Sequence, residues 1–284
     1  MRITLAKHAG FCFGVRDAVE VAREAAREHG KLYMLGHIVH NERVVQELAD
    51  FGVTVVNSIH DVKGAPVLFR AHGTPPAVWE EAKARGLEII DATCPLVHEI
   101  HAEVRKMEQD GRQIYIIGDK GHDEVVGIQS QVENPIIIST PEEARRLRKK
   151  KRGGAVSQST QEVENVQEII SILIMKVKDL QFVNTVCHPT RQNQVELKDL
   201  ANSNDVMIVI GSYTSANTKR LTSLARQINP NSYQVETAGD IDPGWFRGTA
   251  SVGVHAGAST PDNTIDEVMQ KIQSVTSDRT AEVI

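Results

Sequence analysis

Cys12, Cys94 and Cys187 are the three cysteines of a 284-residue chain, and their positions carry its strongest chemical signal. An odd number argues against a disulfide framework, and no Cys-x-x-Cys pair is present to suggest a zinc ribbon or a thioredoxin-like site. Each cysteine instead follows a strand-like run: Ile3–Ala6, Leu87–Ile90 and Leu180–Val183. Each is followed by a helical pattern, over Val15–His29, Val97–Gln109 and Gln192–Ala201. Next comes a short apolar strand ending in glycine, at Gly36, Gly118 and Gly211, always 24 residues after the cysteine. Three equal spacings across divergent sequence mark an internal repeat.

The repeat continues with a polar loop that opens a helix. These loops are His37-Ile38-Val39-His40-Asn41, Asp119-Lys120-Gly121-His122-Asp123-Glu124 and Ser212-Tyr213-Thr214-Ser215-Ala216-Asn217. A third strand then ends in another loop: His72-Gly73-Thr74-Pro75, Ser157-Gln158-Ser159-Thr160 or Gly257-Ala258-Ser259-Thr260-Pro261. In parallel sheets, ligands bind beyond the carboxyl ends of strands, where these loops lie. Three lobes facing one another would bring three thiolates together, which calls for a metal centre. A three-cysteine zinc site and an iron–sulfur cluster both remain open on this reasoning. His40, His72, His122, Ser215, Asn217 and Ser259 supply hydrogen-bond donors suited to a compact polyanion such as a diphosphate. Thr74-Pro75-Pro76 and Thr260-Pro261 read as N-caps with proline opening a helix, and such termini bind phosphate. Glu124 is the lone carboxylate of this set and reads as a proton donor, with Ser159 or Thr160 passing protons onward.

The elements that must position these residues are strands alternating with helices, the pattern of βαβ units. The expected fold is α/β, with three pseudo-equivalent domains, each a parallel four-stranded sheet. The third repeat lacks a fourth strand, so residues 1–13 are expected to complete it. The expected domains span 14–95, 96–188 and 189–275, leaving a tail at 276–284.

Composition excludes several classes. Forty per cent hydrophobic and 24% charged residues describe a globular chain, not a disordered or collagenous one. A net charge of −5 and 4% aromatic residues disfavour a nucleic-acid surface. The longest apolar run, Ile169–Met175 with Ser171 inside it, is far short of the ~20 residues of a membrane span. The first residues lack the apolar stretch of a signal peptide, so an unexported, cytoplasmic protein is expected. The basic run Arg145–Arg152 is read as a solvated helix C-terminus.

Ordered motifs along the chain resemble the 4-hydroxy-3-methylbut-2-enyl diphosphate reductase family, the last enzymes of the non-mevalonate isoprenoid route. They are Gly10-Phe11-Cys12-Phe13-Gly14-Val15, Val39-His40-Asn41, Arg70-Ala71-His72-Gly73, Asp91-Ala92-Thr93-Cys94-Pro95 and Gly121-His122-Asp123-Glu124-Val125. Ser157-Gln158-Ser159-Thr160, Thr185-Val186-Cys187, Ser215-Ala216-Asn217 and Gly257-Ala258-Ser259-Thr260-Pro261-Asp262 complete the set.

The resemblance implies three lobes around a [4Fe-4S] cluster held by Cys12, Cys94 and Cys187. One iron has no protein ligand, and a 3Fe-4S form follows if that iron is lost. It implies reductive removal of the allylic hydroxyl from the diphosphate substrate, giving isopentenyl and dimethylallyl diphosphate. Glu124 would deliver protons, with Ser159 and Thr160 in its network. His40, Asn41, His72, His122, Ser215, Ala216, Asn217 and Ser259 would line the substrate site. A ferredoxin- or flavodoxin-like protein would supply electrons. Separately, three lobes that already bury one another are expected to form a monomer. The family often has two threonines after the glutamine, where this chain has Ser159 and Thr160. It often has a second serine where this chain has Ala216, which leaves a backbone N–H at that point. The competing readings are a non-catalytic metal-binding sensor and a zinc-dependent diphosphate hydrolase.

Overall fold

The computed structural model describes residues 1–277. Among the described residues, twelve strands form three separate four-stranded sheets, every pairing among them parallel. The first sheet takes β2 (Leu32–Leu35), β3 (Val53–Val56), β4 (Val67–Phe69) and β5 (Ile89–Asp91) in the order β3-β2-β4-β5. The second repeats that order with β6 (Gln113–Ile117), β7 (Ile136–Ile138), β8 (Lys150–Ser157) and β9 (Val177–Phe182), as β7-β6-β8-β9. The third contains β10 (Val206–Ile210), β11 (Ser232–Val235) and β12 (Ser251–Ala256), and its fourth place belongs to β1 (Arg2–Leu5). The β1–β12 register runs from Arg2 opposite Ser251 to Leu5 opposite Val254.

Burial on both faces explains the continuous apolar strands. In β10, Val206, Ile208 and Ile210 pack into one core while Met207 and Val209 face another. In β6, Tyr115 and Ile117 turn one way, and Ile114 and Ile116 the other. Alternation of period two therefore distributes apolar side chains between two helix layers.

The cysteine helices are α1 (Phe13–His29), α4 (Pro95–Gln109) and α8 (His188–Ser203). Between α1 and α4 lie α2 (Glu42–Asp50) and α3 (Pro76–Ala84). Between α4 and α8 lie α5 (Asp123–Gln129), α6 (Pro141–Arg146) and α7 (Val163–Lys176). The third repeat adds α9 (Ala216–Ile228) and α10 (Asp262–Ser277). Each cysteine helix starts at the residue after its cysteine, two to four residues earlier than its apolar pattern predicts. Pro95 and Pro189 fall in the first turns, where a preset φ and a missing N–H cost nothing.

Three other expectations are corrected. Of the basic run, Arg145 and Arg146 close α6, but Lys150, Lys151 and Arg152 open β8, and Arg152 pairs with Asp179 of β9. Thr74 is not the cap of α3, whose N-cap is Pro75 with no side-chain bond. The Thr260 hydroxyl donates to the Ile210 carbonyl, tying its loop to β10. Of the tail read as 276–284, residues 278–284 lie outside the described residues.

The chain groups into two compact units. One comprises Met1–Phe13, His40–Val44 and the chain from His188 on; the other comprises Gly14–Val39 and Val45–Cys187. The first holds the sheet containing β1, and the second holds the other two sheets. The assignment of His40–Val44 to the first unit has no signal in the hydrophobic pattern.

Candidate active site

The three cysteines are held alike. The Cys94 N–H donates to the Ala71 carbonyl (3.1 Å), the Cys187 N–H to the Ser159 carbonyl (2.9 Å) and the Cys12 N–H to the Ala258 carbonyl (3.3 Å). Each acceptor occupies the same place in a repeat, the second residue of a turn closed by Gly73 to Arg70, Gln161 to Gln158 or Thr260 to Gly257. His72, Thr160 and Ser259 are therefore equivalent positions, each following the carbonyl that holds a cysteine. All three thiols are half-buried and stand at helix N-termini, where the helix dipole favours thiolate.

The approach to each cysteine differs. Asp91 and Asn184, three residues before Cys94 and Cys187, accept the N–H groups of Thr93 (3.0 Å) and Val186 (3.2 Å). Before Cys12 the chain has no such residue, and Glu196 of α8 substitutes for it. Its carboxylate accepts the N–H groups of Lys7 (2.6 Å) and His8 (3.0 Å). Partial burial pushes the Glu196 pKa up, but these bonds outweigh it and hold the group below the usual carboxylate range. Sequence reading missed these supports; an Asx residue three before two of the cysteines was the available signal.

In the unit holding the first two sheets, Glu124 is 2% exposed. Its Oε1 accepts the Ser159 N–H (2.6 Å) and its Oε2 accepts the Ser159 hydroxyl (2.8 Å). Its carboxylate thus reaches the third-strand loop instead of capping its own helix. The hydroxyl of the next residue, Thr160, accepts from the Gln158 amide (3.0 Å). His122 is the N-cap of α5, and its Nδ1 accepts the Glu124 N–H (3.2 Å). A neutral His122 then carries its proton on Nε2, which becomes a donor. The His122 and His72 rings meet edge to face, 5.7 Å between centroids. The Arg70 guanidinium pairs with Asp123 at 2.7 Å, joining the His72 turn to the start of α5.

In the other unit, Ser215 is the N-cap of α9, and its Oγ accepts the Thr218 N–H (3.3 Å). Ala216 and Asn217 follow as the first two helical residues. The Asn217 Nδ2 is buried with no partner among the described residues, as a donor reserved for a ligand would be. Asn41 caps α2, its Oδ1 accepting the Val44 N–H (3.2 Å). The Ser259 hydroxyl makes a long bond to the His40 carbonyl (3.4 Å).

The fold defines a class of protein: a threefold-repeated α/β chain with one thiol per repeat, each at a helix N-terminus. Residues 3–273 match the LytB protein family. The chain belongs to that family, a family of iron–sulfur enzymes. A relative from Geobacter sulfurreducens, named 4-hydroxy-3-methylbut-2-enyl diphosphate reductase, is 43% identical over 96% of this chain and 97% of its own. One of the same name from Aquifex aeolicus is 40% identical, with 96% of each chain covered. The chain is also similar to a solved structure described as (E)-4-hydroxy-3-methyl-but-2-enyl diphosphate reductase, the terminal enzyme of the non-mevalonate pathway. That likeness has a TM-score of 0.72 and 40% identity, covering 96% of this chain and all of the other. The structure of the Plasmodium falciparum E-1-hydroxy-2-methyl-but-2-enyl-4-diphosphate reductase aligns with a TM-score of 0.89 at 27% identity, covering 97% and 88%.

Proposed function

We infer that this protein is an oxidoreductase that converts 4-hydroxy-3-methylbut-2-enyl diphosphate to isopentenyl and dimethylallyl diphosphate, the last step of the non-mevalonate route. Full-length relatives carrying that activity in their names support it, and the sensor and zinc-hydrolase readings have no such support. The observation that carries the chemistry is the buried Glu124 carboxylate bonded through both oxygens to Ser159.

In this reading Cys12, Cys94 and Cys187 hold a [4Fe-4S] cluster with one iron free of protein ligands, and the lobes span 14–95, 96–188 and 189–275. The residues fit a thiolate-held group in one telling respect. A Cβ on Gly14 would stand 2.5 Å from the Cys94 Sγ, so only glycine leaves room for that sulfur. When bound, such a cluster supplies electrons and a Lewis-acidic iron.

The remaining chemistry belongs to the side chains. Glu124 Oε1 faces an N–H, which can only donate, so an acid proton on Glu124 resides on Oε2. From there its neighbour is the Ser159 Oγ, which accepts that proton while offering its own. Removing the hydroxyl as water consumes two electrons and two protons; this pair delivers the protons one at a time, Glu124 being reprotonated from solvent between the two. His72, His122 through Nε2–H, and His40 donate to the diphosphate. Ser215, Asn217, Ser259, the Ala216 N–H and the capped end of α2 at Asn41 complete the anion site, favoured by the positive ends of the helices. Thr160 contributes through the Gln158 bond that holds its turn. A ferredoxin- or flavodoxin-like donor reduces the protein, which acts as a cytoplasmic monomer. No helix among the described residues is long and apolar enough to cross a membrane.

The test is anaerobic purification with iron and sulfide analysis, then turnover with a reduced one-electron donor. Roughly three to four irons with matching sulfide are expected, with both products formed. Glu124→Gln should keep the iron and the substrate affinity while turnover collapses. A colourless protein carrying about one zinc would overturn the assignment.

A further inference from the structure

His101 lies on α4, the helix that follows Cys94, with only 4% of its surface exposed. Its Nε2 is buried and has no hydrogen-bond partner among the described residues. Burial pushes its pKa down to about 4, the His98 and Arg105 charges adding to the effect, so the ring is a neutral body. Uncompensated buried polar atoms are rare enough to require a reason.

The reason is what the ring touches. A Cβ on Gly73 would stand 2.7 Å from the His101 Cε1 and 3.1 Å from its Nε2. Gly73 has φ +84°, and its missing side chain lets the Cε1–Nε2 edge of the ring come close against the turn that carries His72. The same edge of the ring faces α5: a Cβ on Gly127 would meet the His101 Nε2 at 3.4 Å and the His72 carbonyl at 3.1 Å. The imidazole edge is therefore packed at the junction of the His72 turn with the helix that carries Glu124.

That junction is the second of two ties. The first is the Arg70–Asp123 ion pair, where the turn begins and α5 starts. Asp123 and Gly127 are one helical turn apart, and Glu124 lies between them. The turn and the helix thus meet at both ends of the segment that aims the carboxylate at Ser159.

We propose that His101 is a positioning residue, a wedge that fixes the His72 turn against the first turn of α5 and so sets where His72 and Glu124 stand. The wedge acts by shape, through a neutral ring whose edge abuts two glycines. Its functional consequence rests on the roles given above to His72 and Glu124; its geometric content does not. Misplacing such groups by about 1 Å costs on the order of a hundredfold in rate.

The experiment compares His101→Ala and His101→Gln in the cluster-loaded protein, by amide hydrogen exchange and steady-state kinetics. The reporters are the Gly73 N–H, bonded to the Arg70 carbonyl (3.1 Å), and the Val126 N–H, bonded to the His122 carbonyl (2.9 Å). In His101→Ala both should exchange at least about tenfold faster, with amides of β10, which belongs to the other unit, unchanged and kcat down about a hundredfold. His101→Gln should recover part of both effects. Unchanged exchange at the two reporters, or acceleration spread evenly over the protein, would overturn the proposal. Should His101→Ala not fold, His101→Gln decides by the same locality. Local acceleration with undiminished turnover would support the wedge and overturn instead the role of Glu124, so the two failures are distinct.

Discussion

Ser159→Ala isolates one hydrogen bond at the centre of the proposed chemistry. The substitution removes the Oγ–H donated to Glu124 Oε2 at 2.8 Å and leaves the N–H to Oε1 at 2.6 Å. It also leaves the Ser159 carbonyl that accepts the Cys187 N–H, so the cysteine turn keeps its anchor. Both partners are more than nine-tenths buried, with Ser159 8% and Glu124 2% exposed, so water does not readily replace the lost donor. As Glu124 gives up its proton it becomes charged, and a hydrogen bond to a charged group in such a place contributes about 1.5–3 kcal/mol. At about 1.4 kcal/mol per tenfold in rate, kcat should fall between roughly ten- and a hundredfold. KM and iron content should hold, because the hydroxyl serves the proton path. Ser159→Thr retains a hydroxyl and should stay within a few-fold of the parent. The assay is anaerobic steady-state turnover, with iron and sulfide determined on the same samples. A fully loaded Ser159→Ala protein turning over within twofold of the parent would refute the relay.

Other consequences follow from the same geometry. Gly14→Ala, in a helix where alanine adds no backbone strain, places a carbon 2.5 Å from the Cys94 Sγ and must displace that sulfur by on the order of 1 Å. The protein should fold but lose more than half its iron, and full iron content would contradict the placement of Cys94. Stability should fall on acidification from pH 6.5 to 4, beginning above the range where carboxylates titrate. His101 and His255, both pushed down to about 4 by burial, bind fewer protons folded than unfolded throughout that window. Unfolding free energy therefore rises with pH between those limits and levels off beyond them, each histidine contributing at most about 3 kcal/mol. Urea denaturation midpoints at pH 7 and 5.5 check this, and equal midpoints would contradict it.

Much of the architecture is legible in the chain because repetition is a local property. The 24-residue cysteine-to-glycine spacing reflects one strand–turn–helix–strand unit whose length is fixed by its own geometry. The missing fourth strand of the third repeat points to β1 because an incomplete sheet leaves an open place. Glu124, His122 and Ser215 stand out because a polar residue opening a helix after an apolar strand is visible without coordinates. Helix starts are placed late because periodicity sees only buried positions, whereas prolines and the cysteine turns set the first residues. The threonine caps proposed for α3 and α10 fail because the helices begin one residue later, with Pro75 and Pro261 supplying the first helical carbonyls.

Residue types and spacing determined the repeat, the parallel sheets and the set of groups able to do chemistry. Tertiary structure alone decided which partner each group has: Ser159 for Glu124, Glu196 for the Cys12 approach, and His101 against Gly73 and Gly127. A side chain's own neighbours follow from a few residues of sequence, but its partners in space depend on how elements far apart in the chain pack. That packing depends on volumes and missing Cβ atoms as much as on polarity. A glycine written in sequence does not say which ring will lie against it.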